Sequence, residues 1–190
     1  MASVIEALRK LSYRFPTGLD GEEFEKQMAP GGSDRGSCLL VVAQLENELE
    51  AAIEATIGPL SDEMRGALVE QDGPTATFAR KITIAAALGI LGPNLRHNFR
   101  IVRHIRNAFA HARVPITFET PEVEAAVNDL HLINPVPPYD TSQSIRMNPE
   151  SRLFFEEVVG AMLVTLHGYL RRTLREKKQN PPQAPQFPMP

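Results

Sequence analysis

The chain has 190 residues, 43% of them hydrophobic and 23% charged, with a formal net charge of −3. This is the composition of one globular domain large enough to bury its own core. Its single cysteine, Cys38, excludes an internal disulfide framework and a Cys-rich zinc site, so the cytoplasm is the expected location. The opening MASVIEALRK lacks a cleavable apolar stretch, and the longest apolar runs, 82–91 and 158–166, are far shorter than a bilayer span. No membrane association is expected.

The charge is unevenly placed. Residues 1–72 carry 14 acids and 6 bases, residues 73–118 carry 7 bases and no acid, and residues 119–190 carry 9 acids and 7 bases. In chain order, residues 3–11 have a short amphipathic pattern, and the polar, glycine-rich stretch 12–34 is expected to be loop. From Arg35 to Ile57, Leu39, Val42, Leu45, Leu49, Ile53 and Ile57 recur at intervals of three and four, predicting a helix that Gly58-Pro59 ends. Ser61 suits the cap of a shorter helix through Val69.

Asp72-Gly73-Pro74 marks a turn into a helix whose Phe78, Ile82, Ala85, Ala86 and Gly89 form a face of small residues suited to close packing. Gly92-Pro93-Asn94 breaks the chain, with Asn94 the expected cap of a helix from Leu95 to about His111. Residues 114–118 are predicted extended, and Thr120-Pro121-Glu122 opens a helix to about Leu130. A proline-containing connection follows over 134–147, and Asn148-Pro149-Glu150 opens a last helix to about Lys178, ending in Arg171, Arg172, Arg175, Lys177 and Lys178. The tail 179–190 is proline-rich and predicted disordered. The expected architecture is all-α: a single bundle of five to seven helices over 35–178, preceded by a helix and polar loop in 1–34.

At about 100° per residue, Leu95, Phe99, Val102, Ile105 and Phe109 share one side of the 95–111 helix, and Arg96, Arg100, Arg103, His104, Asn107 and His111 share the other. Arg106 lies at the stripe's edge, roughly 140° from His111 with Ala110 and Asn107 between them. A histidine that moves a proton and an arginine that offsets charge on a phosphate suffice to cleave RNA through its 2′-hydroxyl without metal. Asn107 would orient either group. The same residues have a purely structural reading. Arg106 would satisfy Glu46 or Glu50, Asn107 a loop carbonyl, and His111 the C-terminal end of its own helix.

The run Arg106-Asn107-Ala108-Phe109-Ala110-His111, closing a helix rich in arginine and histidine, resembles the R-N-x-x-x-H signature of HEPN domains. These are all-α toxins, defence nucleases and inert partner-binding modules. Residues from about 35 to 131 resemble the mannitol operon repressor (MltR-like) family more widely. The three blocks DRGSCLLVVAQLENELEAAI, DGPTATFARKITIAAALGIL and IRNAFAHARVPITFETPEV stand in that order and at similar spacing. The resemblance implies an α-helical bundle and a regulatory role in sugar uptake, exerted without an evident DNA-binding motif. From the HEPN side it implies a homodimer that brings two copies of Arg106 and His111 over one RNA phosphate.

Other chemistries have less support. A helix-turn-helix would use Ala85, Gly89 and the basic helix, but Asn98 falls where such a motif wants a packing residue, and the apolar face continues for four turns. Direct DNA reading is therefore ranked third. His97, His104 and His111 are seven residues apart, about 10 Å along the axis for each step, so one helix cannot chelate a metal with all three. No metal or other cofactor is expected. Cys38 is expected to be a small core residue, and the run Glu46, Glu48, Glu50 and Glu54 a solvated face or a partner for the basic helix. The leading expectation is a non-catalytic regulatory or interaction protein of MltR-like kind. It would bind a protein partner or an anionic ligand, such as an RNA phosphate, through Arg96, Arg100, Arg103 and His104. The alternative is a metal-independent endoribonuclease using Arg106, Asn107 and His111.

Overall fold

A computed structural model describes residues 33–69, 73–112, 116–133 and 150–179. The expectations for 3–11, 134–147 and 180–190 lie outside these residues, as does the expected loop 12–34 up to residue 32; its last residue, Asp34, begins a helix. The described residues form six α-helices and no strand: α1 Asp34–Ile57, α2 Asp62–Val69, α3 Phe78–Ala87, α4 Pro93–His111, α5 Pro121–Asn128 and α6 Ser151–Gln179. The chain is an all-α helical bundle. Of the predicted extended run 114–118, residues 114 and 115 lie outside the description, and Phe118 sits in a turn.

The helix boundaries follow local chemistry. Ser33 accepts a hydrogen bond from the Gly36 N–H and starts α1, and Thr77 does the same for Arg80 at the start of α3. The expected cap at Asn94 is incorrect. Gly92 is the N-cap of α4 and Pro93 occupies its first turn, where a fixed φ favours helix and the missing N–H costs nothing. Gly89 also differs from expectation, because it is an exposed turn residue outside the packed face. It has φ +75°, the Ile90 N–H bonds the Ala85 carbonyl, and the Gly89 N–H bonds the Ala86 carbonyl. This doubly bonded reversal ends α3 and turns the chain into α4.

Helix α1 is the centre of the bundle. Val42, Leu45, Leu49 and Ile53 from α1, Phe99 and Val102 from α4, and Val158, Met162 and Leu166 from α6 are all buried in one apolar cluster. Helix α6 runs parallel to α1: Ser37 meets Glu156 near the helix starts, while Thr56 meets Tyr169 and Lys177 near their ends. By length and composition α6 is apolar enough to cross a membrane, although its separate apolar runs are short. In the bundle Phe155, Val158, Val159, Met162, Leu166 and Leu170 are buried as core. Helix α4 runs antiparallel to α1, so the end of α4 lies beside the start of α1, where Arg35 reaches Ala112.

Glu46, Glu50 and Glu54 of the acidic run of α1 are paired groups, which corrects the expectation of a solvated face. Buried Lys81 of α3 donates to Glu50 at 2.6 Å and Glu46 at 2.9 Å, Arg65 meets Glu54 at 3.2 Å, and His167 lies 4.0 Å from Glu48. Burial of Lys81 opposes its charge, but the hydrogen bonds and charges of Glu50 and Glu46 outweigh this and hold its pKa above the ordinary lysine value.

Candidate functional site

Packing on α1 and α3 divides α4 lengthwise. Leu95, Asn98, Phe99, Val102, Ile105 and Phe109 face inward and are buried. Arg96, Arg100, His104 and His111 are exposed, and Arg103, Arg106 and Asn107 are half-buried. The outward stripe from Arg96 to His111 spans about 22 Å at 1.5 Å per residue. Among the described residues, Arg96, Arg100 and Arg103 form no ion pair with an acid. Arg103 instead donates to His104 Nε2 at 3.0 Å, which sets the two side chains alongside each other on the surface. Of the α1 acids expected to pair with this stripe, Glu46 and Glu50 are held by Lys81 and Glu54 by Arg65.

The start of α4 is locked by Asn98. Its side-chain amide donates to the His131 carbonyl at 2.7 Å, and its side-chain oxygen accepts from the His131 N–H at 2.9 Å. Asn98 is fully buried, and this reciprocal pair ties the chain leaving α5 to α4. His97, next to it, is 3.0 Å from the Asp129 carbonyl, and its ring centroid is 4.5 Å from that of His131. Of the three helix-borne histidines, His97 is therefore drawn toward α5, His104 bonds Arg103, and His111 has no hydrogen-bond partner among the described residues.

The R-N-x-x-x-H residues lie where α4 ends against the starts of α1 and α6. Arg106 donates to Asn107 Oδ1 at 3.2 Å and is paired with no carboxylate among the described residues, so the expected bridge from Arg106 to Glu46 or Glu50 does not form. Asn107 engages Arg106, where a loop carbonyl was expected. The Arg106 guanidinium lies close enough to Cys38 to favour its thiolate, but burial dominates, Asp34 adds to it, and the thiol is pushed up to about 12. Cys38 is thus an inert core residue, as its setting in the sequence suggests. His111 does not cap its helix. Arg35 of α1 does so, donating to the Ala112 carbonyl at 3.1 Å.

Beneath this end runs a polar network. Asp34 accepts from the Phe118 N–H at 3.0 Å and from Arg152 at 3.3 Å, and Glu156 accepts from Arg152 at 2.9 Å and from Ser37 at 2.6 Å. Phe118 stands between Phe109 and Phe155, with ring centroids 4.9 and 5.0 Å away. Together these contacts fix the end of α4 relative to α1 and α6. Asp34, Arg35, Ser37, Arg152 and Glu156 carry no separate signal in the sequence. Asp34 looks like a first-turn acid and Arg152 like an i, i+4 partner for Glu156. Only the parallel packing of α1 and α6 makes one network of them.

The structure thus brings together Arg106 with Asn107 and Arg103 with His104. It leaves His111 exposed and joined to Arg106 by no polar contact. A shallow depression of about 250 Å³ on α3, lined by Pro74, Ala79, Arg80, Thr83 and Ile84, includes none of these residues. No protein-family model, curated protein or solved structure matches this chain.

Proposed function

We infer that the chain is a non-catalytic regulatory or interaction protein of MltR-like kind that takes an anionic partner on the outward face of α4. One observation carries this reading: Arg96, Arg100 and Arg103 line one face of a rigid helix and have no acidic partner among the described residues. Arginine forks on a fixed scaffold suit phosphate or carboxylate groups, which they hold by paired charge-assisted hydrogen bonds. Binding through such a stripe needs no reacting group. The test is fluorescence anisotropy with labelled single-stranded RNA and with an acidic polypeptide. The Arg96→Gln, Arg100→Gln, Arg103→Gln triple variant should lose binding to whichever anion the native chain takes. For RNA, log affinity should fall with log salt at about −0.7 per phosphate contacted. A native chain that binds neither polymer at low salt sinks the proposal.

The metal-independent endoribonuclease is the second reading, favoured by an Arg106 guanidinium that no carboxylate among the described residues neutralises and an exposed His111 on the same helix end. Incubation with single-stranded RNA in EDTA separates the two. Cleavage abolished by Arg106→Ala and by His111→Ala establishes the nuclease, and intact RNA removes it.

A further inference from the structure

Helix α6 has a second face on which the other described helices do not pack. On the helical wheel Val164 lies about 160–180° from Phe155, Met162 and Leu166, the residues that enter the core. Val164 is 56% exposed and Leu153, on the same outward side, is 53% exposed. Glu157, Gly168 and Arg171 are exposed beside them, and neither charged residue has an ion-pair partner among the described residues.

The order of residues along this face is symmetric about Val164. Four residues before it is Gly160 and four after is Gly168; seven before is Glu157 and seven after is Arg171. All four lie within about 40° of Val164 on the wheel. Packing among the described residues does not require either glycine, since a Cβ at Gly160 or Gly168 would meet none of their atoms within 4 Å. Yet each glycine weakens a helix interior relative to alanine. Glu157 and Arg171 are about 21 Å apart along the axis, too far to pair within one chain.

A second copy of α6, laid antiparallel with its two-fold axis at Val164, uses Val164, both glycines and both charges. Gly160 then faces Gly168 of the other copy and lets the helices approach closely. Glu157 faces Arg171 of the other copy, twice by symmetry, and the two Val164 side chains meet at the centre. A two-fold interface must be complementary to itself in this way. We propose that the outward face of α6 is a homodimer interface, an antiparallel α6 pair centred on Val164 and flanked by two Glu157–Arg171 ion pairs. It is separate from the basic face of α4, which lies on another helix, and does not rest on the functional reading of that face.

Sedimentation equilibrium of the full chain across micromolar to submillimolar concentrations tests the proposal. The native chain should dimerise reversibly, and Val164→Glu should be monomeric with unchanged helical circular dichroism. Gly168→Leu should raise the melting temperature of the monomer, because the site is open and helix propensity improves, while weakening the dimer. Glu157→Arg and Arg171→Glu should each weaken it about tenfold by turning two attractions into repulsions. The double variant Glu157→Arg, Arg171→Glu should return to within about threefold of native. A native chain that stays monomeric, a dimer indifferent to Val164→Glu, or a double variant no tighter than the single ones overturns the interface.

Discussion

Replacing Lys81 by Met keeps most of the apolar stem and removes only the ammonium group from between Glu46 and Glu50. The Lys81 and Glu50 side chains are each 8% exposed, and their contact is 2.6 Å. The variant therefore takes away an ammonium that two carboxylates share, one of them in the interior, a change that costs about 3–5 kcal/mol. At a urea m-value of about 2 kcal/mol per M, the unfolding midpoint should fall by about 2 M. The pH dependence is more diagnostic than the size. Because the folded-state pKa of Lys81 is raised, its contribution is fully present below the unfolded value of about 10.4 and is lost as pH rises through the higher folded value. The gap between native chain and variant should thus be wide at neutral pH and close at strongly alkaline pH. Replacing the whole set, as Glu46→Gln, Glu50→Leu, Lys81→Met, should recover most of the loss. A single-variant loss under about 1 kcal/mol at neutral pH would refute the reasoning, because it would mean that water reaches Glu50 freely.

Three further outcomes test other parts of the molecule. Asn98→Ala deletes both hydrogen bonds to His131 and should cost about 1–3 kcal/mol in chemical denaturation, with faster amide exchange at His131 and in α5; unchanged exchange there would show that α5 is held by other contacts. Asp34→Ala should cost a similar 1–3 kcal/mol, because it frees the Phe118 N–H and one side of Arg152; thermal melts would show it, and a shift smaller than that of an exposed control such as Asn47→Ala would count against the network. The Cys38 thiol, pushed up to about 12 in the core, should resist a thiol reagent at pH 8 in the native chain and react fully in urea, whereas prompt native labelling would place the thiol in solvent.

The helices α1, α3 and α4 follow from periodicity, because a helix in a bundle must bury one stripe, and that requirement is written locally as apolar residues at three and four; α5 and α6 follow from the proline and acid that open them. Leu45, Leu49 and Ile53 are visible in this way, and so are Phe99, Val102 and Ile105. The short α2 is foreshadowed by Ser61 alone, whose hydroxyl accepts from the Met64 N–H at 3.2 Å. The basic outward face of α4 is equally legible, since it is what remains once the apolar stripe is assigned. What each charged group pairs with is not legible, because that depends on which helix lies alongside and at what height. Glu46 and Glu50 are held by Lys81 and not by Arg106, the end of α4 is capped by Arg35 and not by His111, and Asp34 meets Arg152 across more than a hundred residues. The sequence by itself determined where the helices are and which stripe of each is apolar. Tertiary structure alone decided which charges are neutralised inside the bundle, and therefore which ones, on α4 and on the outer face of α6, have no oppositely charged partner among the described residues.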